Sequence, residues 1–297
     1  MPTSQGPLLP RRRLGVELKK LREEAKLRLD DVASALMISS SKLSRLENGQ
    51  GIPQQRDVRD LINFYQVADT SLAERLMRLT REGRRQGWWK DYSDVVPEHL
   101  DAYLALESGA SVIRSFVPTI LPGLLQTEDY ARALLREVMP RHSYKEVDQL
   151  VQIRLRRKQF LLRAEEPLRL LAVVDESVLR RVVGSKDIMR RQFEALTELS
   201  ELPNVTVQIF PFNAGAHEAM MGSFTVFQFA DDVDRDVVDV ESHLGDRYLE
   251  QESHVLLYLR IFDSVSHRSL EPAPSRDLIR QIIQTYSRSK DGEWEAQ

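Results

Sequence analysis

The sequence predicts a multidomain protein in which an all-α domain is followed by a larger α+β (mixed) domain. Apolar residues recur at helical spacing through residues 13–82. Apolar runs that suit buried strands occur only after residue 115, where they interleave with helical segments. Charge divides in the same way, because residues 1–90 hold 18 Lys and Arg against 11 Asp and Glu, and the remainder holds 24 against 34.

Composition bounds the class of protein before any motif is considered. The chain has 297 residues, 42% hydrophobic and 29% charged, which is typical of a globular protein with room for two domains. It has no cysteine, so disulfides, thiolate metal sites and a cysteine nucleophile are excluded. The first residues place arginines after a short Pro-broken stretch, unlike a signal peptide, and no apolar run is long enough for a membrane span. We therefore expect a cytoplasmic protein without membrane contact.

The all-α domain is predicted to have five helices. Residues 1–12 are rich in Pro, Ser and Arg, and we expect a disordered arm in which Arg11, Arg12 and Arg13 either touch phosphates or are simply solvated. Ser71 and Glu74 have the spacing of a capping box at the start of the fifth helix. The predicted helices are Leu14–Ala25, Leu29–Leu36, Ser40–Glu47, Gln55–Tyr65 and residues 71–82.

Residues 28–49, RLDDVASALMISSSKLSRLENG, read as two short helices joined by a tight turn at Met37 and Ile38. Ser39 is a suitable N-cap for the second helix, and Gly49 is a suitable stop after it. Leu43 and Leu46 anchor that helix, while its other face carries small, polar or basic side chains. Such a face suits the DNA major groove, where short hydroxyls allow close approach and an arginine can reach guanine.

The run Leu43-Ser44-Arg45-Leu46-Glu47-Asn48-Gly49, preceded by Ile38-Ser39, resembles the phage-repressor (XRE-type, lambda-repressor-like) helix-turn-helix, whose signature ends in S-R-x-E-N-G. That resemblance implies a five-helix DNA-binding domain, which we assign to residues 13–87. Members often carry Ser or Thr where this chain has Arg28 and Gln where it has Leu29. Arg28 cannot act as an N-cap, and Leu29 cannot donate a hydrogen bond, although Arg28 still offers its charge to a phosphate.

The residues predicted to contact DNA combine the groove face of the second motif helix with the basic and polar side chains that flank it. Arg45 and the serines are expected to face base edges, and Lys42, Asn48 and the remaining arginines are expected to face the backbone. They are Arg28, Ser39, Ser40, Ser41, Lys42, Ser44, Arg45, Asn48, Arg56 and Arg59.

The second domain is assigned to residues 88–297, after a junction at Trp88-Trp89, where two large aromatic side chains suit domain packing better than stacking on nucleic acid. Thr127, Ser143 and Ser185 are predicted helix N-caps, and Ser143 with Glu146 forms a capping box. Predicted helices are 97–113, 127–138, 143–163, 175–182, 185–202, 252–265 and 276–288. Predicted strands are 115–120, 168–174, 205–210, 224–229 and 237–240.

A second resemblance covers about residues 88–285. The runs FVPTILPGLLQTEDYARALL, RLRRKQFLL, VVDESVLRR, ELPNVTVQIFPFNAGAH and GSFTVFQF are similar to the uncharacterised C-terminal domain of actinobacterial XRE-type regulators of the WhiJ-like group. The resemblance implies a role in developmental regulation and a domain that receives a signal or a partner. The partner it implies is a small acidic protein encoded nearby.

The second domain offers no catalytic or metal-binding motif. HExxH, Walker and G-x-S-x-G patterns are absent, and Asp231, Asp232, Asp234 and Asp236 lack the glycine and distal glutamate of a calcium loop, which favours a solvated turn. We predict no catalytic residues, no metal and no cofactor. The long loop 211–222 is the best candidate for ligand or partner binding. Its candidate residues are Phe212, His217, Met220 and Met221.

Together these patterns predict a sequence-specific transcription regulator that binds a double-stranded DNA operator, as a homodimer because two half-sites make binding tight and specific. Two alternatives remain open from the sequence. One is an antitoxin-like module that neutralises a partner and uses DNA binding for its own regulation. The other is an enzyme that carries a helix-turn-helix head, which the missing nucleophile–base constellation disfavours.

Overall fold

A computed structural model describes residues 7–231, 234–242 and 245–288, and the predicted fold class is confirmed. The chain divides into two compact units. The first contains the described residues up to Ser93 together with Leu100–Gly109 and Phe229–Arg235. The second contains Asp94–His99, Ala110–Gln228 and the described residues from Asp236 onward. The first unit thus extends beyond the predicted boundary at residue 87 and takes in two later segments.

The first unit contains the five expected helices. They are α1 Leu8–Glu24, α2 Leu29–Ala35, α3 Ser40–Glu47, α4 Gln55–Phe64 and α5 Thr70–Gly83. A 3-10 turn, Trp88–Tyr92, follows, and residues 100–109 of α6 (Glu98–Gly109) also belong to the unit. α5 is capped by Asp69, which accepts the backbone N–H groups of Ser71 and Leu72, so the capping box predicted at Ser71 is wrong.

The expected disordered arm is wrong for residues 8–12, because α1 begins at Leu8. Leu9 is buried and packs against Gly109, and Arg11 Nε donates to the carbonyl of Gly83 at 2.6 Å. These contacts are distant in sequence, which explains why composition alone suggested disorder. Residues 1–6 of the predicted arm lie outside the described residues.

The core of the five-helix bundle is formed by the apolar stripe of each helix, as the periodicity predicts. The leucines of α1 meet those of α3 and α5, and Gly15 allows the backbone of α1 to approach the C-terminal carbonyls of α3. The fully buried members are Leu14, Leu18, Val32, Leu43, Val58, Leu61 and Leu76.

One buried ion pair ties α1 to the end of α3. Arg22 donates through Nε and Nη2 to the two carboxylate oxygens of Glu47 at 2.8 and 2.9 Å. The Glu47 side chain is only 3% exposed, and its hydrogen bonds with Arg22 raise the pKa of that guanidinium. Burial raises the pKa of the adjacent Tyr65 to about 12. The pair is bidentate, which fixes the orientation of the two helices as well as their separation.

An acidic segment between two strands of the sheet belongs to the first unit. Asp234 lies there with its side chain fully buried, and it accepts from Arg13 Nε and Nη2 at 2.8 and 2.6 Å. Asp231 lies 3.6 Å from the same guanidinium. Because Asp234 is buried and paired, the expectation of a solvated turn is wrong at this residue, while Asp232 lies outside the described residues.

The second unit is organised around a mixed sheet in the order β3-β2-β1-β4-β5-β6. β1, β2 and β3 are parallel to one another, and β4, β5 and β6 extend the sheet in antiparallel pairs. The strands are β1 Val112–Val117, β2 Arg169–Asp175, β3 Val205–Phe210, β4 Phe224–Gln228, β5 Val237–Val240 and β6 Arg247–Leu249. β6 was not predicted, because three residues are too few to show alternation.

Helices cover this sheet, and their N-caps match the sequence. Thr127, Ser143 and Ser185 each accept a backbone N–H of the first helical turn, and the Ser143–Glu146 capping box is present. The helices are α7 Glu128–Val138, α8 Tyr144–Arg157, α9 Gln159–Leu162, α10 Glu176–Arg180, α11 Lys186–Leu199, α12 Glu252–Arg268 and α13 Pro272–Arg288. α8 is shorter than predicted, because the chain breaks at Lys158 into the separate α9.

One face of the sheet forms an apolar core with α12. Phe116, Phe224 and Val238 pack there against Val255 and Phe262. Within the described ranges, no helix is long and apolar enough to cross a bilayer. The same residues contain no group of three or more His, Asp and Glu side chains arranged to hold a metal ion.

We predict that Glu47→Ala lowers the free energy of unfolding of the first unit by about 1–3 kcal/mol, because it removes the bidentate partner of the Arg22 guanidinium, which keeps only the carbonyl of Leu27 and the more distant Glu23. Lys20→Ala is the matched control, since the exposed Lys20–Glu24 pair is 3.9 Å apart and should contribute less than about 0.5 kcal/mol. Denaturant unfolding of the full chain measures both. Equal small losses for the two variants would contradict a structural role for the buried pair.

Candidate nucleic-acid interface

The turn between α2 and α3 adopts the tight geometry that the sequence predicts. Met37 has φ +53°, and Ser39 follows as the N-cap of α3, accepting the backbone N–H of Lys42 at 3.2 Å. Gly49 ends the motif with φ +67°, and a Cβ there would lie 2.9 Å from the Cα of Arg12. Backbone conformation and close packing on α1 therefore both require glycine at this position.

The outward face of α3 carries Ser40, Ser41, Ser44 and Arg45, as predicted. Leu43 and Leu46 are buried on the opposite side, so this orientation is fixed by the core. Ser40 donates to the carboxylate of Asp30 at 2.5 Å, and Ser44 accepts from the side-chain amide of Asn48 at 3.4 Å. These bonds hold the hydroxyls close to the helix, which leaves room for another surface to approach its backbone.

Arg45 differs from the other cations of this face. Its side chain is exposed, and it makes neither an ion pair nor a hydrogen bond with any residue of the described ranges. The guanidinium is therefore free to turn toward a ligand without breaking an internal contact. A planar donor fork of this kind matches the O6 and N7 atoms of guanine or two oxygens of a phosphate.

The residues predicted to contact the DNA backbone lie around α3, and they differ in whether an internal ion pair holds the side chain. Lys42 forms an ion pair with Asp57 at 2.6 Å, while Arg56 is 91% exposed and lies 3.8 Å from Asp60. Arg59 and Asn48 are exposed. Lys42 must exchange Asp57 for a phosphate if it is to contact DNA, whereas Arg59 need not break an ion pair with the described residues.

Arg28 stands at the N-cap position of α2 and forms no side-chain cap, as its chemistry predicts. Its side chain is exposed at the start of the helix, where the backbone N–H groups of the first turn point outward. Asp30 and Asp31 occupy that first turn and complement the helix dipole. The positive end of α2 is thus partly neutralised within the motif itself.

A cavity of about 250 Å³ lies beside α3, and it is not evident from the sequence. The exposed Met37 and the Lys42–Asp57 pair both contribute to it. Its walls come from the turn, α3 and α4, so its lining residues extend from Leu36 to Asp60. The lining residues are Leu36, Met37, Ile38, Lys42, Arg56, Asp57 and Asp60.

The predicted partner site in the second unit is a loop, Pro211–Gly222, that is anchored at several points. The backbone N–H of Phe212 donates to Glu176 Oε2 at 2.9 Å. Arg268 donates to the carbonyl of Ala216 at 2.9 Å and also to the carbonyl of Ala214. These hydrogen bonds indicate that the loop has a defined conformation and presents a fixed surface.

His217 lies inside this loop and serves a packing role. Its ring centroid is 4.3 Å from that of Phe210 and 5.3 Å from that of Phe116. Burial lowers the pKa of His217, an effect that the nearby Asp175 opposes. The imidazole is therefore neutral at pH 7. The loop residues that face solvent are instead Met221, Met220 and Phe212, with exposed fractions of 96%, 64% and 56%.

Comparison with known protein families finds two matches along the chain. Residues 13–76 match the model described as helix-turn-helix domain, and residues 100–281 match the model described as domain of unknown function (DUF5753). No curated protein and no solved structure is significantly similar to the chain. The first match covers α2, α3 and α4, begins within α1 and ends within α5, and it contains every predicted DNA-contacting residue.

We predict that Arg45→Ala weakens DNA binding by about 1–3 kcal/mol and relaxes the base preference at one position of the site. Arg59→Ala is the matched control, because loss of a phosphate contact should weaken binding equally on all sequences and reduce the salt slope by about one unit. Binding isotherms at several salt concentrations, on a panel of variant sites selected from random DNA, measure both effects. Uniform weakening by Arg45→Ala would instead assign that arginine to the phosphate backbone.

Proposed function

We propose that this chain, which belongs to the family defined by the domain of unknown function (DUF5753), is a sequence-specific DNA-binding transcription regulator whose second unit receives a signal. The observation that carries the proposal is the outward face of α3, where three serines surround an arginine without internal partners. This is the arrangement with which a recognition helix reads a major groove. The protein would then act on the nucleoid, in the cytoplasm.

The assignment of each domain to a particular class of regulators rests on the sequence motifs. We assign the head to the XRE-type repressors and the second unit to the WhiJ-like actinobacterial regulators, which have roles in development. A homodimer follows from the size of the head, because one recognition helix reads only a few base pairs. Two heads on half-sites one helical turn apart multiply both affinity and specificity.

If the second unit receives a signal, the chain itself offers a way to transmit it to the helix-turn-helix domain. The chain leaves the sheet after β4, contributes residues 229–235 to the first unit, and returns to the sheet at β5. In that segment Asp234 holds Arg13, which lies on the same helix as Arg22. A change in the β4–β5 connection would therefore reach α1, the helix that orients α3 through Glu47.

The Trp88–Trp89 turn packs within the first unit. Trp89 is buried, and its indole N–H donates to Asp101 at 2.5 Å. Lys90 pairs with the same carboxylate at 3.0 Å. The predicted junction residues thus fix α6 within the first unit. An effector alters DNA affinity only by its differential affinity for two states, with coupling of about 1–3 kcal/mol.

We further propose that the loop 211–222 docks a partner protein and performs no catalysis. Exposed methionines and a phenylalanine on an anchored loop are typical of adaptable recognition surfaces. Phe212 lies 5.8 Å from the Arg180 guanidinium, whose charge Glu176 offsets at 2.5 Å, and Arg268 borders the loop without an acidic partner among the described residues, so one uncompensated cation lies beside the apolar side chains. The partner that fits this surface is the small acidic protein implied by the sequence resemblance.

We predict that selection from random DNA with the full-length protein enriches a two-fold symmetric site whose half-sites lie about 10 base pairs apart. Genome-wide occupancy should then map to promoters that carry this site. Arg45→Ala provides the matched control for selection, since it keeps the fold and should lose the enriched bases. Enrichment of no sequence, or of a single unpaired half-site, would contradict the dimeric regulator.

We predict that Phe212→Ala combined with Met221→Ala weakens binding of the acidic partner by at least about 30-fold, because interface anchors of this type contribute about 2 kcal/mol or more. DNA affinity without partner should not change. Tyr144→Ala is the control, since Tyr144 is 75% exposed elsewhere on the second unit. Turnover of a metabolite by the wild-type protein would favour the enzyme alternative instead.

A further inference from the structure

A row of buried polar side chains crosses one face of the sheet in the second unit. Ser115 of β1 is in register with Thr225 of β4, and Thr225 is in register with Asp239 of β5. All three residues are at most 4% exposed. The hydroxyl oxygens of Ser115 and Thr225 are 3.4 Å apart. The other face carries Val238 and the apolar core with α12, so the polar row is confined to one side.

Asp239 is the exceptional member of this row. It is fully buried, and among the described residues neither of its carboxylate oxygens has a hydrogen-bond partner. Burying an unpaired ionised carboxylate is costly, so native structures usually pair such groups or protonate them. Burial, together with the negative charges of the neighbouring Asp246 and Glu241, raises the pKa of Asp239 to about 8. The ligand-free protein therefore keeps a proton on this carboxyl at pH 7.

The surroundings of Asp239 favour a positive ligand. Glu241 lies two residues farther along the chain, Asp246 precedes β6, and Tyr248 of β6 is in register with Asp239. Asp246 and Glu241 both act electrostatically on Asp239 and attract a cation toward it, while Arg154 and Arg157 offset part of the negative charge of Glu241. The described residues offer no group of three suitable metal ligands, whereas a buried carboxylate beside two hydroxyls can accept the several N–H bonds of an ammonium group.

We propose that Asp239, with Thr225 and Ser115 beside it and Glu241 and Asp246 nearby, is the binding site for a small organic cation with a primary ammonium group. The ammonium donates to the carboxylate of Asp239 and to the adjacent hydroxyl oxygens. Asp239 gives up its proton to the solvent as the cation binds, so charge in the site is conserved. This site goes beyond the regulator function, because it concerns only the second unit and requires no DNA.

The proposal is tested by titration calorimetry of the full-length protein with n-butylammonium, putrescine and L-lysine, and with 1-butanol as the neutral counterpart. At pH 7 we expect at least one amine to bind saturably with release of about one proton, measured from the dependence of heat on buffer ionisation. Proton release should decline above pH 8, where the free carboxyl is already ionised. Butanol should not bind.

Asp239→Asn should weaken amine binding by at least about 30-fold, because it removes one partner of a buried charge pair. Asparagine has the shape and neutrality of the protonated acid, so the fold should persist. Asp277→Asn, at an acid whose side chain is 66% exposed on α13, is the control and should bind as wild type. Absence of saturable binding by all three amines, binding without proton release, or unchanged affinity in Asp239→Asn would each overturn the proposal, and the first two require no variant to fold.

Discussion

The bidentate contact between Arg22 and Glu47 is the constraint on which the candidate DNA interface depends. α3 has only eight residues, and Glu47 adds a third buried anchor to the two leucines that fix its orientation in the core. Glu47 in its last turn is held by Arg22 of α1, and Gly15 lets the two helices approach closely. The direction in which Arg45 points therefore depends on the leucine core and also on a contact between Arg22 and Glu47, which are 25 residues apart in sequence.

Features set by local chemistry were predictable from the sequence. The caps at Ser39, Thr127, Ser143 and Ser185 depend on a hydroxyl and a backbone N–H three residues away, and all four are present. The α3 helix and the strands Val205–Phe210 and Val237–Val240 have the predicted bounds. Their apolar periodicity is strong, and polar or turn-forming residues bound them clearly.

Features set by distant partners were not predictable. Residues 8–12 are helical because Leu9 and Arg11 find partners near residues 109 and 83, and Asp234 is buried because Arg13 reaches it across 221 positions. β6 depends on pairing with β5 and has almost no signal of its own. Of the predicted loop site, Phe212, Met220 and Met221 are exposed, but His217 lies between aromatic rings, a position that only the tertiary packing determines.

The acidic partners within the head influence how it would discriminate among DNA sequences. Asp57 holds Lys42, Asp60 lies near Arg56, and Asp30 holds Ser40. These side chains must leave their internal partners before they can contact phosphates. Phosphate contacts are the same on every sequence, and weakening them lowers non-specific binding most. Arg45 displaces no internal ion pair within the described ranges. If Arg45 reads bases as proposed, these internal contacts would reduce the sequence-independent part of DNA affinity more than the base-reading part, and the ratio of specific to non-specific binding would rise.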